Sequence, residues 1–416
     1  MNAPPASLLL GALREAIAFE AVGEQVGNLA VGRGRLDQRP LHAAIVENFA
    51  ASGSLGQKES QRLGTLFGIV AAEKSPLVLF LDSAGAKVSE GLAALGAFRH
   101  LYRAGLDAAF SGAPIAAVLG KNCYGGASML AHLAPRRLFA PTTQLAMSGP
   151  SILASAAGVS PLDEMFRAMA EASISPRARA QAASANAVWE EKDPAAWLRE
   201  ALAPRGEPAT AARSGHEALR SRLPRGADSA WEVVRRRDLE KLYSGYEARE
   251  ADGILAGRGI RDTGDEAFVG VVGKAPLGIA RAWRFSEEVW KLAADPPPRL
   301  EIYLDCATHA GRLEDEKAVL TEFIVDMAFA LHALGRRGTK IGLTVLGKAG
   351  GGVYVALAAP ASRVASIHGA DIQVLPGSAV AAILGESRES APVFDEYRKS
   401  GVADEEIRLG IVPRTK

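Results

Sequence analysis

Two runs of consecutive apolar residues stand out in the first half of the chain, at residues 77–81 and 115–119, and each begins directly after a proline. Short apolar runs bounded by turn residues are typical of strands buried on both faces of a sheet. Residues 57–72 have the apolar spacing of a helix, with Leu63 and Phe67 on one face, and a second long helix is predicted at 90–111. The alternation of buried strand and helix predicts a mainly parallel, layered α/β fold.

Weaker signals complete the first half. They predict a helix at residues 8–19, a hairpin over residues 31–46, a strand at 137–140 and a turn at 145–150.

The second half of the chain repeats landmarks of the first in the same order. The offset in numbering is 225 between Gly32 and Gly257, 223 between Asp82 and Asp305, 227 between Gly120 and Gly347, and 226 between Gly125 and Gly351. Self-similarity at a nearly constant offset is the sequence signature of a repeat. The chain is therefore predicted to be an internal duplication of one α/β unit.

The stretch between the repeats has a different composition. Ala, Arg, Pro and Glu dominate residues 174–226, with few β-branched residues and with prolines at 204 and 208. This predicts a helical connector with loops, and its Trp189 and Trp197 indicate that it packs against another part of the molecule. The predicted division is an N-terminal domain at 1–173, a connector at 174–226 and a C-terminal domain at 227–416.

Beyond the second glycine pair, short strands are predicted at residues 363–367 and 371–375. A helix is predicted to start at Pro376 and Ser378 and to run through Leu384. The polar tail from Glu386 is expected to be helical and is a candidate oligomer contact.

Composition narrows the possible functions. The chain has 416 residues, 48% of them hydrophobic and 23% charged, with a net charge of +1. This is ordinary globular composition, and no basic patch with interleaved aromatics suggests nucleic-acid binding. No apolar stretch is long enough for a signal core or a membrane span. The two cysteines, Cys123 and Cys306, lack metal-ligand spacing, so a cytoplasmic protein without a bound metal is expected.

The candidate chemistry lies in a motif that occurs twice. An apolar run leads into Val-Leu-Gly-Lys, a short turn, a glycine pair and a helix of small residues, at 118–127 and again at 345–353. A strand that ends in a glycine turn and opens a helix leaves backbone N–H groups unpaired at the helix start. Two such donors stabilise an oxyanion, an effect worth roughly 3–4 kcal/mol for each donor in hydrolases. The alternative for a single copy is that its glycines serve only turn geometry and close packing.

Other motifs give weaker indications. The segment at 342–349 fails as a phosphate-binding loop because Ala349 stands where Ser or Thr is required, and no Gly-x-Ser-x-Gly elbow occurs. His132, His309 and His368 lie near the proposed strand and helix ends, where surface or hydrogen-bonded structural roles are expected for them. Cys123 is expected to be a small apolar filler. Lys87, Lys121 and Lys348 are candidates to meet phosphates or a carboxylate, with simple solvation as the alternative.

Further motifs occur in a fixed order in both halves. In the first half they are Gly34-Arg35-Leu36-Asp37-x-Arg39-Pro40, Gly53-Ser54-Leu55-Gly56-x-x-Glu59, the segment at 76–91 and Tyr124-Gly125-Gly126-Ala127. In the second half they are Gly347-Lys348-x-x-Gly351-Gly352 and residues 367–379. With these motifs the chain resembles the carboxyltransferase family of the crotonase superfamily. These second-half motifs are similar to the γ subunit of biotin-independent malonate decarboxylase, and Met147-Ser148-Gly149-Pro150 is similar to its β subunit. The resemblance thus indicates a fused β/γ chain.

This resemblance implies a ββα-spiral fold in each half and a thioester substrate carried on CoA or on an acyl carrier protein. It implies that Gly125 and Gly126 form the oxyanion hole for the thioester, and that Gly351 and Gly352 hold the carboxyl group or the ureido oxygen of biotin. Further substrate contacts are expected from the strand ends, the turns and their neighbours: Ala84, Gly85, Ala86, Tyr124, Lys121, Lys348 and Gly350.

The chain also departs from the family pattern. Ser83-Ala84-Gly85 replaces the usual Thr-Gly-Gly or Ser-Gly-Gly, and no zinc-ribbon cysteines precede the first domain. No Met-Lys-Met biotinylation site and no ATP-grasp domain are present, so any biotin would arrive on a partner.

Three functions remain open at this stage. The first is decarboxylation of a malonyl thioester through an enolate, without a covalently bound cofactor. The second is the carboxyltransferase component of a biotin-dependent acyl-CoA carboxylase, and the third is a thioester-binding scaffold without turnover. A homo-oligomer or an internal pairing of the two halves is expected, without nucleic-acid or membrane partners. Further decarboxylase or carboxylase subunits are candidate partners.

Overall fold

The computed structural model describes residues 6–159, 163–182, 185–227, 229–262, 264–375 and 392–408. The helix expected from Pro376 through Leu384 lies outside these residues.

The first half is built on one mixed sheet. Its strands are β1 (Glu20–Ala21), β2 (Leu29–Leu36), β3 (Arg39–Val46), β4 (Leu77–Ser83), β5 (Ile115–Tyr124), β6 (Arg136–Phe139), β7 (Gln144–Ala146) and β8 (Asn186–Val188). They lie in the order β1-β2-β3-β4-β5-β6-β8, and β7 pairs with β5. The pairs β1–β2 and β2–β3 are antiparallel, whereas the remaining neighbours are parallel.

The second half has the same plan. Its strands are β9 (Glu232–Val233), β10 (Gly245–Ala251), β11 (Ile254–Arg261), β12 (Gly264–Val271), β13 (Arg299–Cys306), β14 (Lys340–Gly350), β15 (Arg363–Ile367), β16 (Asp371–Gln373) and β17 (Glu405–Ile407). They lie in the order β17-β15-β14-β13-β12-β11-β10-β9, and β16 pairs with β14. Strands β2 to β7 thus correspond to β11 to β16, which confirms the predicted duplicated α/β fold.

Helices fill the connections between these strands. In the first half and the connector they are α1 (Ala6–Ala16), α2 (Gln57–Glu73), α3 (Leu92–Phe110), α4 (Gly126–Ala131), α5 (Pro150–Ala156), α6 (Glu164–Ser173), α7 (Pro176–Ala182), α8 (Ala195–Ala201) and α9 (Pro208–Leu219). In the second half they are α10 (Arg237–Leu242), α11 (Ile279–Leu292), α12 (Leu313–Lys317), α13 (Leu320–Arg336), α14 (Gly351–Ala358) and α15 (Phe394–Lys399).

Three details differ from the sequence-based expectation. Residues 145 and 146 of the predicted turn at 145–150 belong to β7, which pairs in parallel with the last residues of β5. The connector is not purely helical, since its residues 186–188 form β8 and extend the first sheet beyond β6. The tail from Glu386, expected to be helical, also contains the strand β17, which takes the corresponding place beside β15 in the second sheet.

A single large apolar core joins the two halves. It includes Leu79 and Leu119 from the first sheet, Leu304 and Val345 from the second, and side chains of the helices that follow these strands. The alternate residues of β4 and β5 face a second core closed by α1, α8 and Trp189, as expected for strands buried on both faces.

Polar contacts also tie the halves together. Arg99 and Arg103 on α3 donate to the carbonyl oxygens of Ala358 and Ala359 at the end of α14, at 3.3 and 3.1 Å. The last carbonyls of a helix have no intrahelical donor, so these two arginines satisfy groups that would otherwise be unpaired.

Candidate functional site

An aspartate at the end of a strand holds the Gly-Lys turn in each half. The Asp82 carboxylate accepts the backbone N–H groups of Lys121 and Asn122 at 3.1 and 3.0 Å. In the second half, Asp305 accepts the N–H of Lys348 at 2.9 Å. A Cβ atom built on Gly120 would lie 2.6 Å from Asp82, and one on Gly347 would lie 2.3 Å from Asp305. The glycine of the repeated motif is therefore required by the close approach of the aspartate.

The two backbone N–H groups of the first glycine pair differ in their hydrogen bonding. Gly125 has a φ of +53° and donates its N–H to the carbonyl oxygen of Ala146 at 3.1 Å. Gly126 is the first residue of α4, and its N–H has no acceptor among the described residues. A Cβ on Gly126 would lie 2.5 Å from the Phe98 ring. Of the expected pair, only Gly126 thus offers a free donor.

The loop after β4 supplies a second free donor beside it. Gly85 donates to the Ser83 hydroxyl at 3.0 Å, and the peptide groups of Gly85 and Lys87 pair with Leu55 at 2.8 and 2.9 Å. Ala86 lies between these two residues in the chain, and its own N–H has no acceptor within the described ranges.

Gly85 brings this loop against the start of α4. With a φ of +94°, it is placed so that a Cβ atom would lie 2.8 Å from the nitrogen of Gly126. Only glycine permits this approach, and the structure thereby joins the predicted residues at 84–86 to Tyr124, Gly125 and Gly126.

The second glycine pair repeats this arrangement. Gly351 has the same φ of +53° as Gly125 and opens α14. A Cβ on Gly350 would lie 2.6 Å from the carbonyl oxygen of Gln373 and 3.0 Å from that of Ala307. Here the peptide groups of Thr308 and Ala310 pair with Leu277 at 3.0 and 2.8 Å. His309 therefore occupies the position that Ala86 has in the first half.

Met147 lies between the two glycine pairs. Its carbonyl oxygen would be 3.9 Å from a Cβ on Gly125, and its Cε atom would be 2.4 Å from a Cβ on Gly352. The sulfur of Met129 would lie 3.2 Å from the same Cβ on Gly352. The two glycine pairs therefore lie near each other within one chain, with Met147 and Met129 between them.

Side chains of the second half hold the loop that carries Met147. The fully buried Glu316 accepts the N–H groups of Met147 and Ser148 at 3.3 and 2.8 Å. The Ser148 hydroxyl is 2.9 Å from Nε2 of His309. Arg179, also fully buried, donates to the main-chain carbonyl of Glu316 at 2.6 Å and lies 3.7 Å from its carboxylate.

Burial shifts the protonation of both titratable groups in this cluster. It raises the pKa of the Glu316 carboxyl to about 7, against the opposing charge of Arg179. It lowers the pKa of His309 to about 4, so the imidazole is neutral at pH 7. Nδ1 of His309 has no hydrogen-bond partner within the described part of the chain.

The sequence alone does not predict that these residues lie together. His309, for which a surface or hydrogen-bonded structural role is expected, is buried with one of its ring nitrogens paired. The only available signal was its alignment with Ala86 at the constant offset of 223, the same offset that relates Asp82 to Asp305.

The remaining candidates have simpler surroundings. Lys121 and Lys348 are exposed, and Lys87 pairs with Glu90 at 3.0 Å. Tyr124 donates its hydroxyl to Gln144. Cys123 is fully buried at the end of β5, where burial raises its thiol pKa, which suits the expected filler.

The described residues contain no group of three or more His, Cys, Asp or Glu side chains placed to hold a metal ion. Within the same residues, no helix has the length and apolar character needed to cross a membrane.

Comparison with known proteins shows that the chain is similar to carboxyltransferases. No family model matches the chain. The chain is 28% identical over 149 residues to the methylmalonyl-CoA carboxyltransferase 12S subunit of Propionibacterium freudenreichii subsp. shermanii, a match that covers 35% of this chain and 28% of the relative. The matched segment therefore spans little more than a quarter of that curated relative.

Two solved structures can be compared with the chain. A transcarboxylase 12S structure with hydrolysed methylmalonyl-coenzyme A covers 96% of this chain and 86% of its own, at 19% identity and a TM-score of 0.38. A chain of a Pseudomonas malonate decarboxylase hetero-tetramer covers 55% of this chain and 95% of its own, at 19% identity and a TM-score of 0.47. The resemblance to carboxyltransferases that the motifs indicated is confirmed at the level of sequence likeness.

Proposed function

We propose that this chain is a carboxyltransferase-type enzyme that decarboxylates a malonyl thioester to an acetyl thioester and CO2. The observation that carries the proposal is the pair of free backbone donors on Ala86 and Gly126, which Gly85 brings close together because it lacks a side chain. A loop N–H beside a helix-start N–H, at the positive end of the helix dipole, is suited to an oxygen that becomes negative.

Decarboxylation needs this kind of stabilisation. The bond between the α carbon and the carboxylate carbon breaks, and its electron pair delocalises onto the thioester oxygen as CO2 leaves. The α carbon then takes a proton from water. Donors aimed at the oxygen bind the enolate more strongly than the neutral thioester, so they lower the barrier without a side-chain acid or base.

The second glycine pair is assigned to the carboxyl group. Gly351 and Gly352 are the first two residues of α14. The equivalent Gly125 and Gly126 stand at the start of α4, where Gly125 precedes the helix and Gly126 is its first residue. The positive end of a helix favours a carboxylate. The exposed Lys121 and Lys348 are placed on the turns that lead into the two sites, where they are available to phosphates of a CoA or phosphopantetheine arm.

One assay tests this proposal. The purified chain is incubated with malonyl-CoA or with a malonyl carrier protein, and CO2 and acetyl thioester are measured with and without biotin. Equal release of both products without biotin is expected. Strict dependence on biotin or on a biotinyl partner contradicts the proposal.

The second candidate function is the carboxyltransferase component of a biotin-dependent acyl-CoA carboxylase. It is favoured by the relative named as a methylmalonyl-CoA carboxyltransferase subunit. In that case the second site holds the ureido oxygen of biotin, and the assay yields product only with a biotinyl acceptor. Thioester binding without turnover under either condition supports a non-catalytic subunit instead.

A further inference from the structure

A separate cavity of about 600 Å³ lies away from both glycine pairs. It is lined by Pro114 and Ile115, which precede and begin β5, and by His132, which follows the last residue of α4. Tyr124 and Gly126 are at the opposite ends of these same elements. The cavity volume is in the range of small-molecule sites in proteins.

The connector helix α9 forms one wall with small side chains. Ala211, Ala212, Gly215 and Ala218 line the cavity, and a Cβ atom built on Gly215 would have no neighbour within 4 Å. Larger residues on this face would fill the space. The alanine-rich composition of the connector thus keeps the cavity open.

The opposite wall is largely apolar. Phe110, Leu133, Val325 and Phe329 all line the cavity. They come from α3, from the residue that follows His132, and from α13, so elements of both halves of the molecule contribute to an apolar surface suited to a hydrocarbon or aromatic body.

The charged groups of the wall carry a positive excess. Three arginines, at 137, 205 and 222, line the cavity with two carboxylates, Glu322 and Asp326. Arg137 and Arg222 share Glu322, and Asp326 is 2.7 Å from His216. Arg205 is exposed and has no ion pair among the described residues.

The protonation states of the buried Glu322 and His132 leave the excess of positive charge in the cavity wall unchanged. Although burial alone would raise it, the pKa of the Glu322 carboxyl lies below its ordinary value because of His132, Arg137 and Arg222. Burial lowers the pKa of His132, whose Nδ1 is 2.7 Å from the carbonyl oxygen of Ser128 and must carry the ring proton. Its Nε2 lies 3.6 Å from the Glu322 carboxylate and makes no hydrogen bond within the described ranges.

We propose that this cavity is a second ligand site, which binds a small organic monoanion: a carboxylate with an apolar body of medium length. The apolar wall accommodates the body, and the excess guanidinium charge, with Arg205 free at the solvent-exposed edge, favours the carboxylate. The site does not depend on the proposed thioester chemistry.

The test uses the full chain, with octanoate as the probe anion and octanol as its neutral counterpart. Calorimetric titration is expected to show one octanoate per chain, bound at least tenfold more tightly than octanol. Arg205→Gln is expected to reduce this preference severalfold while leaving octanol binding unchanged. Equal affinity for the two probes, or no saturable octanoate binding, overturns the proposal.

A filling variant locates the site. Gly215→Phe places a ring in the open space on α9 and is expected to abolish octanoate binding. Gly68→Phe is the matched control, since Gly68 also lies within a helix, α2, and has no neighbour within 4 Å of a built Cβ. Thermal melting of both variants checks folding. Unchanged octanoate binding in a folded Gly215→Phe variant, or an equal loss in Gly68→Phe, contradicts the assignment.

Discussion

The side chain of Met147 lies against the backbone of Gly352, so that a Cβ atom on this glycine would be only 2.4 Å from the methionine Cε. The carbonyl oxygen of the same methionine borders Gly125 of the first pair. The two proposed anion sites therefore share one residue as a common wall. Changes at one site are expected to reach the other through the Met147 loop.

The two glycine pairs are expected to respond differently to alanine. Gly126→Ala would bring a methyl group to within 2.5 Å of the rigid Phe98 ring, whereas Gly352→Ala would meet the flexible end of Met147. Overpacking of a well-packed core costs typically 1–3 kcal/mol. We expect a loss of about this size in the free energy of unfolding for Gly126→Ala and a smaller loss for Gly352→Ala, measured by urea denaturation.

Gly68→Ala is the control for this pair of variants. Gly68 lies in α2 with open space around its Cβ position, and replacing a helical glycine by alanine is expected to stabilise by up to about 1 kcal/mol. Equal destabilisation by Gly126→Ala and Gly352→Ala would show that Phe98 does not limit the space at the first site.

The aspartate at the end of β4 should contribute more than its counterpart in β13. Asp82 accepts two backbone N–H groups from residues 121 and 122, and Asp305 accepts one from residue 348. Each N–H left without its acceptor costs about 1–3 kcal/mol when buried and less when water can reach it. We expect Asp82→Ala to lower the unfolding free energy more than Asp305→Ala.

Asp82→Asn keeps one acceptor oxygen and serves as the control. It should recover part of the stability lost in Asp82→Ala, as measured by urea denaturation. An Asp82→Asn variant no more stable than Asp82→Ala would contradict a role for hydrogen bonding at this turn.

The sequence was sufficient to predict the duplication and the buried strands, because both depend on local patterns. The apolar runs at 77–81 and 115–119 lie within β4 and β5, and the two glycine pairs lie at equivalent helix starts. It could not predict the cluster of Ser148, His309 and Glu316. Residues that are 161 and 168 positions apart come together only when the halves pack, and no periodicity within either half records that contact.

Glu316 should make stability depend on pH. Its pKa of about 7 in the folded protein lies above its ordinary value of 4.5. Stability from this group is therefore fully present below pH 4.5 and is lost as the pH rises through 7. The loss is on the order of 3 kcal/mol, at 1.36 kcal/mol for each pKa unit.

Glu316→Gln is expected to remove this pH dependence, measured as the urea midpoint between pH 4.5 and 8. The groups facing Glu316 are Arg179, Asp315 and, through Ser148, His309. Because the pKa of His309 is lowered from 6.5 to about 4, this histidine adds a dependence of the opposite sign between about pH 4 and 6.5 in both proteins, so the contribution of Glu316 is taken as the difference between the two profiles. A profile that is unchanged in Glu316→Gln would assign the dependence to another group.

Gly85→Ala is the most direct test of the free donors on Ala86 and Gly126. A methyl group at this position would lie 2.8 Å from the nitrogen of Gly126, covering the place that the thioester oxygen requires. Loss of one oxyanion donor lowers kcat by roughly 10²–10³, and we expect a decrease at least this large. The backbone strain at its φ of +94° is matched by Gly338→Ala, where φ is +99° and the Cβ position is open.

The comparison of these two alanine variants separates chemistry from folding. Both are expected to lose similar stability from the left-handed backbone, with some additional loss in Gly85→Ala from crowding, but Gly338→Ala should retain its turnover of the malonyl thioester. Because the donors act on the enolate more than on the substrate, Gly85→Ala should lower kcat much more than it raises KM. Full turnover in a folded Gly85→Ala variant would mean that the oxyanion is held elsewhere, with the second glycine pair as the next site to test.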